Sequence, residues 1–363
     1  MSNLADQIEL ARKAYYNGNP IMSDAVYDAL EDQLRKENPD HPLLKRVGET
    51  PTGGWAKRTH RQPMTSLNKA QTPQECQSWV GGFKSGIDYV ISEKMDGISI
   101  GLEYSNGILT HAVTRGDGTI GEDITPNVLK MKGVVTRLPS NWSGHIRGEI
   151  ICKKSDHKTY FLGQTNPRNT ASGTAKRQSD TEQCRYLTVV VYQILPESTR
   201  YSSKLEELKA LESFGFFTPN YYEANSYADI LEVYKDYVSR VRSSLDYDID
   251  GLVLEVSDTD YRNSQGDLNG RPRAAVAFKF PHEEQETTLR NIRWQVGKSG
   301  RITPVAEFDP VVLAGATVEK ASLATVRQVE NLRLFEGCKV LVSRRGDVIP
   351  RVEANVSLGI INE

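Results

Sequence analysis

The spacing of apolar and polar positions divides the chain into three stretches. Near the N-terminus Leu4, Ile8, Ala11 and Tyr15 recur at helical spacing. After the break "NGNP", Ser23 is placed to cap a second helix with Val26, Leu30 and Leu34 as its inner stripe, and "NPDHP" stops it. From about residue 60 the period falls to two. Strands are predicted at 88–93 and 98–104, with "SNG" turning the second into a third at 108–114, and again at "GHIRGEII", "YLTVVVYQIL", "DGLVLEV" and "AAVAFKF". Helices are predicted between them at 168–178, 203–214 and 227–242. From about residue 288 the helical signal fades into short strands with Gly/Pro turns, of a length that suits a small barrel. Hairpin-connected strands with interspersed helices make the class α+β, not a doubly wound sheet. The expected domains are 1–50, 60–285 and 288–363, with "GETPTGG" in the first connector.

Composition narrows the class. With 38% hydrophobic and 25% charged residues the chain reads as globular. No run of eighteen apolar residues exists and the N-terminal stretch lacks an apolar core, so no membrane span and no secretory signal are expected. Cys76, Cys152, Cys184 and Cys338 are widely spaced, which predicts reduced buried thiols and no zinc site. A cytoplasmic monomer fits these features. The net charge of −2 conceals segregation: 130–200 holds 12 Lys/Arg against 5 Asp/Glu, 201–270 holds 6 against 14, and 290–363 holds 11 against 8. A near-neutral chain can still offer a basic face to a polyanion.

One stretch breaks the strand pattern. In "YVISEKMDGISIGLEY" the charged Lys94 and Asp96 interrupt what otherwise reads as a buried hairpin. An arbitrary lysine there is most often a solvated edge residue. Here Asp96 shares its face, and Gly97 removes a side chain where a ligand could approach. Further charged motifs follow: "RGE" at Arg147–Glu149, "DIDG" ending at Gly251, and "FKF" around Lys279. This set suits a lysine nucleophile attacking a phosphoryl group. Lys279 and a bound metal ion would favour the neutral amine, with Glu149 and Asp250 holding the metal.

The motif series K-x-D-G (Lys94–Gly97), R-G-E, D-G (Asp250, Gly251) and F-K-F resembles that of covalent nucleotidyltransferases. "TRGDGTIGEDITPNV", "NPRN", "AVAFKFP", "QVGKSGRITPVA" and "RRGDVIP" narrow the resemblance to bacterial and phage NAD⁺-dependent DNA ligases, over residues 5 to 358. It implies a helical NMN-binding domain, a nucleotidyltransferase domain and a C-terminal OB-fold barrel. It also implies nick sealing in duplex DNA through a lysyl-AMP, with Mg²⁺ or Mn²⁺. By this resemblance Lys94 is the nucleophile and Asp96 serves the 3′-side chemistry. Tyr15, Asp24, Tyr27 and Asp28 would hold the nicotinamide half. Ser66, Leu67, Glu93, Arg115, Glu149, Tyr192 and Lys279 would hold the adenylate, with Tyr192 stacking on the base, and Asp250 and Glu149 would hold the metal. Nicked DNA would meet Lys153, Lys154, Arg168, Lys176, Arg177, Arg344 and Arg345.

The sequence departs from the family's pattern in places. The usual acid two residues before the nucleophile is Ser92, and the neighbouring Glu93 falls on the other face of a strand. Glu255 reverses the charge of the usual lysine after the D-G motif. "SLN" replaces S-L-D, Tyr16 stands where histidine is common, and "ASLAT" lacks the usual histidine and asparagine. Slower turnover or weaker adenylate binding is expected. The sequence holds no zinc-finger, helix–hairpin–helix or BRCT segment after the barrel, so a weaker, salt-sensitive grip on DNA is expected. Two other readings share the scaffold: an ATP-using or RNA-sealing relative, and a nick-binding protein without catalysis.

Overall fold

The computed structural model describes residues 4–16, 24–38, 41–45, 54–164, 166–195, 200–268, 270–281, 283–296, 302–313, 316–323, 325–345 and 349–361. The chain separates into two compact units, one built mainly from Gln33–Phe280 and the other mainly from Pro281–Glu363. The N-terminal stretch forms helices Leu4–Tyr16 and Asp24–Glu37. Ser23 and "NGNP" lie outside the described residues. No helix among the described residues is long and apolar enough to cross a membrane.

The first unit carries two main sheets. One runs, in spatial order, Asn68–Ala70, Ala275–Lys279, Ile249–Val256, Tyr89–Met95 and Tyr221–Ala224, antiparallel except at the first pair. The other runs Ile108–Thr114, Ile98–Ser105, Gly144–Cys152 and Leu187–Ile194, antiparallel throughout. Alternation decides what each strand buries. Ile91, Leu252, Leu254 and Phe278 join Ile230 and Tyr237 in a core behind the first sheet. Val90, on the other face, packs with Ile100, Ile150, Val189 and Val191. All four cysteines are buried and free.

Short elements that the sequence missed here include the edge strand Tyr221–Ala224 and the helices Pro73–Gly81 and Lys154–Tyr160. The first helix carries a capping box, with the Thr72 side chain accepting from Glu75 N and the Glu75 side chain returning the contact. The region read as one helix over 227–242 is Tyr227–Asp236 followed by a π turn, Tyr237–Val241.

The second unit is a closed barrel. Its strands run Ala316–Ser322, Ile302–Leu313, Glu283–Val296, Lys339–Arg345, Ile349–Asn355 and Ile360–Ile361, and Ser322 closes the ring onto Arg351. Leu289, Phe308, Leu313, Val340, Val342 and Val352 fill it. Contrary to the fading helical signal, Val326–Asn331 is a helix, capped by Thr325. Six residues are too few for amphipathic periodicity to show.

Candidate active site

The first sheet sets two amines side by side. Lys94 lies directly across from Gly251, and Gly251 lies across from Lys279 on its other flank. Both lysines therefore leave the sheet on one face with no side chain between them. A Cβ on Gly251 would strike the Phe278 carbonyl, so only glycine fits this row. The pairing with the Lys94 strand slips between Ile249 and Gly251, a bulge at Asp250. Bulges re-aim side chains, and this one brings the Asp250 carboxylate between the amines. Its Oδ1 and Oδ2 lie 3.1 and 3.2 Å from Lys94 Nζ, and Oδ2 accepts a short hydrogen bond from Lys279.

The second sheet supplies the remaining groups. Glu149 sits across the ladder from Ser99, whose hydroxyl donates to Glu149 Oε2 at 2.9 Å. Asp96 pairs with Arg168 at 3.3 Å. Arg168 rides on the helix Pro167–Ala175, which starts where Asn166 accepts from Asn169 N and Pro167 takes the first turn. Gly97 does not open a path for a ligand, as the sequence suggested. The space beside it holds the Ile150 carbonyl and the Glu149 side chain, so this glycine brings Glu149 close to the link between Tyr89–Met95 and Ile98–Ser105, which do not pair as the expected hairpin but lie in different sheets.

Charge and burial tune these groups against one another. Burial opposes the charge on Lys94, but Asp250, Glu149 and Asp96 outweigh it and hold the amine above the ordinary lysine value. This reverses the expectation that Lys279 drives Lys94 neutral, because Asp250 stands between the two cations. Lys279 is itself lowered, by burial first, with the Lys94 charge adding to it and Asp250 opposing. Asp250 falls well below the usual carboxylate range: burial would raise it, but Lys279 and Lys94 prevail. Asp96 is pushed up to about 6 by burial against the pull of Arg168, and Glu149 to about 7 by burial against Lys94 and the Ser99 hydroxyl. The Tyr192 phenol is likewise raised by burial, with Glu149 adding to it. Arg115, in the "TRGDG" turn, bonds through its amide to the Ser99 carbonyl at 3.2 Å, and its charge acts on Glu149. Ser66 and Leu67 are half-buried and lead into Asn68–Ala70, beside the Lys279 strand.

Other expected site residues stand elsewhere. Glu93, only 2% exposed, lies on the face of its strand opposite Lys94. Its Oε1 accepts from Asn220 Nδ2 and the Tyr237 hydroxyl, and its Oε2 from Asn220 N and the Tyr247 hydroxyl, at 2.7–3.1 Å. The one-residue shift turned it to the opposite face, where it became a buried structural acid. Lys176 is partly buried and lies 3.9 Å from Glu122, and Arg177 bonds to Gln183 at 2.5 Å, so both have partners within the fold. Lys154 pairs with Asp248 at 3.2 Å. Tyr27 donates to Glu31 at 2.8 Å, one turn along its helix. The side chains of Tyr15, Asp24, Asp28, Arg344 and Arg345 fall outside the described residues.

Sequence reasoning passed over Ser99, the Arg168–Asp96 pair and the buried Lys204. Ser99 had no readable signal, since it meets Glu149 across a pairing of strands that no hairpin joins. Lys204 had none: its Nζ donates to the Tyr192 carbonyl at 2.7 Å and sits 3.2 Å from Glu255, from a helix ten residues and more past the strand.

Comparison with known proteins places the chain. Residues 52–283 match the NAD-dependent DNA ligase adenylation domain, and residues 286–358 the NAD-dependent DNA ligase OB-fold domain. The DNA ligase of Sorangium cellulosum is 42% identical over 379 residues, covering 97% of this chain and 56% of that protein. The DNA ligase of Treponema denticola is 38% identical, covering 97% and 56%, and that of Treponema pallidum 35% identical, covering 94% and 43%. The chain thus spans about half the length of these curated relatives. With the adenylation-domain match covering well over half its residues, the chain belongs to the NAD-dependent DNA ligase family.

Proposed function

We propose that this chain uses NAD⁺ to seal 5′-phosphate/3′-hydroxyl nicks in duplex DNA through an adenylate carried on Lys94, acting as a monomer in the bacterial or phage-infected cytoplasm. The observation that carries the reading is the row Lys94–Gly251–Lys279, two amines converging where a phosphate would lie. Lys94 Nζ attacks the adenylyl phosphorus: a P–N bond forms, the bridging P–O bond breaks, NMN departs with the bonding electrons, and the amine sheds its proton to solvent. A 5′-phosphate oxygen at the nick then takes the adenylyl group and the P–N bond breaks. Finally the 3′-hydroxyl attacks the 5′-phosphorus, loses its proton, and AMP leaves. Lys279 steadies the phosphoryl oxygens throughout. Asp96, with a carboxyl near 6 and Arg168 beside it, faces the last step.

The donor set bears on the metal. Asp250 Oδ1 is buried without an aligned hydrogen bond, its neighbour being the Lys94 ammonium at 3.1 Å, and Glu149 also acts on that amine. That suits a hard cation held by one or two carboxylates and completed by phosphate oxygens and water. Asp250 and Glu149 would hold Mg²⁺ or Mn²⁺. Such an ion would supply positive charge to the phosphoryl oxygens and favour the neutral Lys94 amine.

Incubation with adenylate-labelled NAD⁺ or ATP, with Lys94→Ala as control, tests the reading. Transfer of label from NAD⁺ to wild type alone is expected, followed by sealing of nicked DNA. Label from ATP only, or from neither donor, overturns it.

A further inference from the structure

The face of the second sheet that carries Glu149 also carries a strap of chain. His145 lies across from Glu103, Arg147 from Gly101, and Glu149 from Ser99, so three rows follow one another on one face. The strap climbs these rows in that order. It leaves the short strand Lys57–Thr59, which pairs with Ile120–Glu122. Arg58 reaches the first row, its Nε and Nη2 donating to Glu103 Oε2 at 3.2 and 3.0 Å. The His60 ring lies over the second, its Nδ1 4.0 Å from where a Cβ on Gly101 would stand. Gln62 and Pro63 then meet Arg147. Beyond Met64 and Thr65 come Ser66 and Leu67, and the strap enters Asn68–Ala70, beside the Lys279 strand of the other sheet.

In the motif R-G-E the sequence gave a role to the acid and none to the arginine. Arg147 is half-buried, and its hydrogen-bond partners are uncharged oxygens. Its Nη2 donates to the Gln62 and Pro63 carbonyls, both at 2.9 Å, and its Nη1 to Gln193 Oε1 at 3.4 Å. A guanidinium set on carbonyls neutralises no charge; its rigid planar fork fixes position. The Arg147 charge and the Tyr192 phenol act on each other, so the fork sits near the ring expected to stack on the base. The strap is also stitched to the turn that carries Arg115. His60 N donates to the Thr119 carbonyl at 2.7 Å and Met64 N to the Gly118 carbonyl at 2.8 Å, while His60 Nε2 donates to the Thr114 and Arg115 carbonyls at 3.0 and 3.1 Å. Burial, with the Arg147 charge adding to it, holds this imidazole below its ordinary value against the pull of those two carbonyls.

We propose that Arg147 is a positioning residue for the nucleotide: by holding the Gln62 and Pro63 carbonyls it sets the strap against the sheet, so that Ser66 and Leu67 form a wall of the adenylate pocket. Arg147 acts through the strap and does not touch the ligand. This rests on the adenylate site described under Proposed function and extends it to a residue two positions from Glu149.

Two readouts on Arg147→Met and Arg147→Lys test it. The first is amide hydrogen exchange without ligand. In Arg147→Met the His60 and Met64 amides should exchange roughly tenfold faster or more, while those of Ile98–Ser105 and Gly144–Cys152 keep their protection. The second is the rate of Lys94 adenylation against NAD⁺ concentration. Half-saturation should rise roughly tenfold, the worth of one hydrogen bond to a charged group, with the maximal rate within about twofold of wild type. Arg147→Lys keeps the charge and loses the fork, so both readouts should move the same way but less. It decides by the same criteria if Arg147→Met loses protection in the sheets as well. Unchanged strap amides overturn the proposal, and so does a half-saturation that stays at the wild-type value. If NAD⁺ labels no form of the protein, the sealing reaction alone falls and calorimetric binding of AMP becomes the second readout. Weaker binding by the variants then supports the positioning role, and equal binding overturns it.

Discussion

Individual residues were legible where they form part of a motif and illegible where their state depends on neighbours distant in sequence. Lys94, Asp96, Glu149, Asp250 and Lys279 stood out as charges interrupting strands, and the structure brings them into one cluster. Their protonation could not be read, because the bulge that swings Asp250 between two lysines is a property of strand pairing. Since Asp250 is the foremost group raising Lys94, Asp250→Asn should lower the pH at which this amine becomes nucleophilic. Pulsed acetylation in chelator, read at Lys94 by mass spectrometry across pH, should show its midpoint moving down; an unmoved midpoint would mean that Asp250 does not hold the ammonium. Glu93 teaches the converse. Neighbouring the proposed nucleophile suggested a ligand contact, yet four hydrogen bonds in a buried setting give it a structural role. Glu93→Gln should cost about 1–3 kcal/mol by upsetting that network. The denaturation midpoint should fall while Lys94 adenylation at saturating NAD⁺ stays near wild type.

At the scale of elements, short apolar runs located the strands that carry the site, although Tyr89–Met95 is buried on both faces and pairs with strands distant in sequence. Short elements escaped: Tyr221–Ala224 has four residues and Val326–Asn331 six, too few for a period to register. The helix Pro167–Ala175 was legible from "NPRN", and the structure adds why that order matters. Asn166 caps the helix, Pro167 fits its first turn, and Arg168 in that turn reaches Asp96 at 3.3 Å. Losing the cap frees the first turn at a cost of about 1 kcal/mol. Asn166→Ala should therefore misplace Arg168 more than it unsettles the sheet holding Lys94. Sealing of a pre-adenylated nick should fall several-fold further than adenylation by NAD⁺. An equal fall in both would mean that the helix serves the whole fold and not the nick.

For the whole molecule, charge is distributed by segment in a way that the net value of −2 hides. The excess of base in 130–200 and of acid in 201–270 was readable, but which basic side chains remain available was not. Lys176, Arg177 and Lys154 each have a partner within the fold with which a polyanion would compete. Each phosphate neutralised by a basic side chain releases counterions, so DNA affinity falls with salt in proportion to the number of such contacts. The proposed attack of Lys94 on NAD⁺ needs no contact with DNA, since the groups involved lie in a partly buried cluster of opposed charges. Raising salt from about 50 to 200 mM should therefore depress nick sealing by at least tenfold while adenylation in the absence of DNA changes by less than about twofold. Measuring both rates on one protein preparation across salt separates the two demands. Parallel slopes would mean that salt acts on the adenylation cluster itself, and that the basic surface has no part in holding the nick.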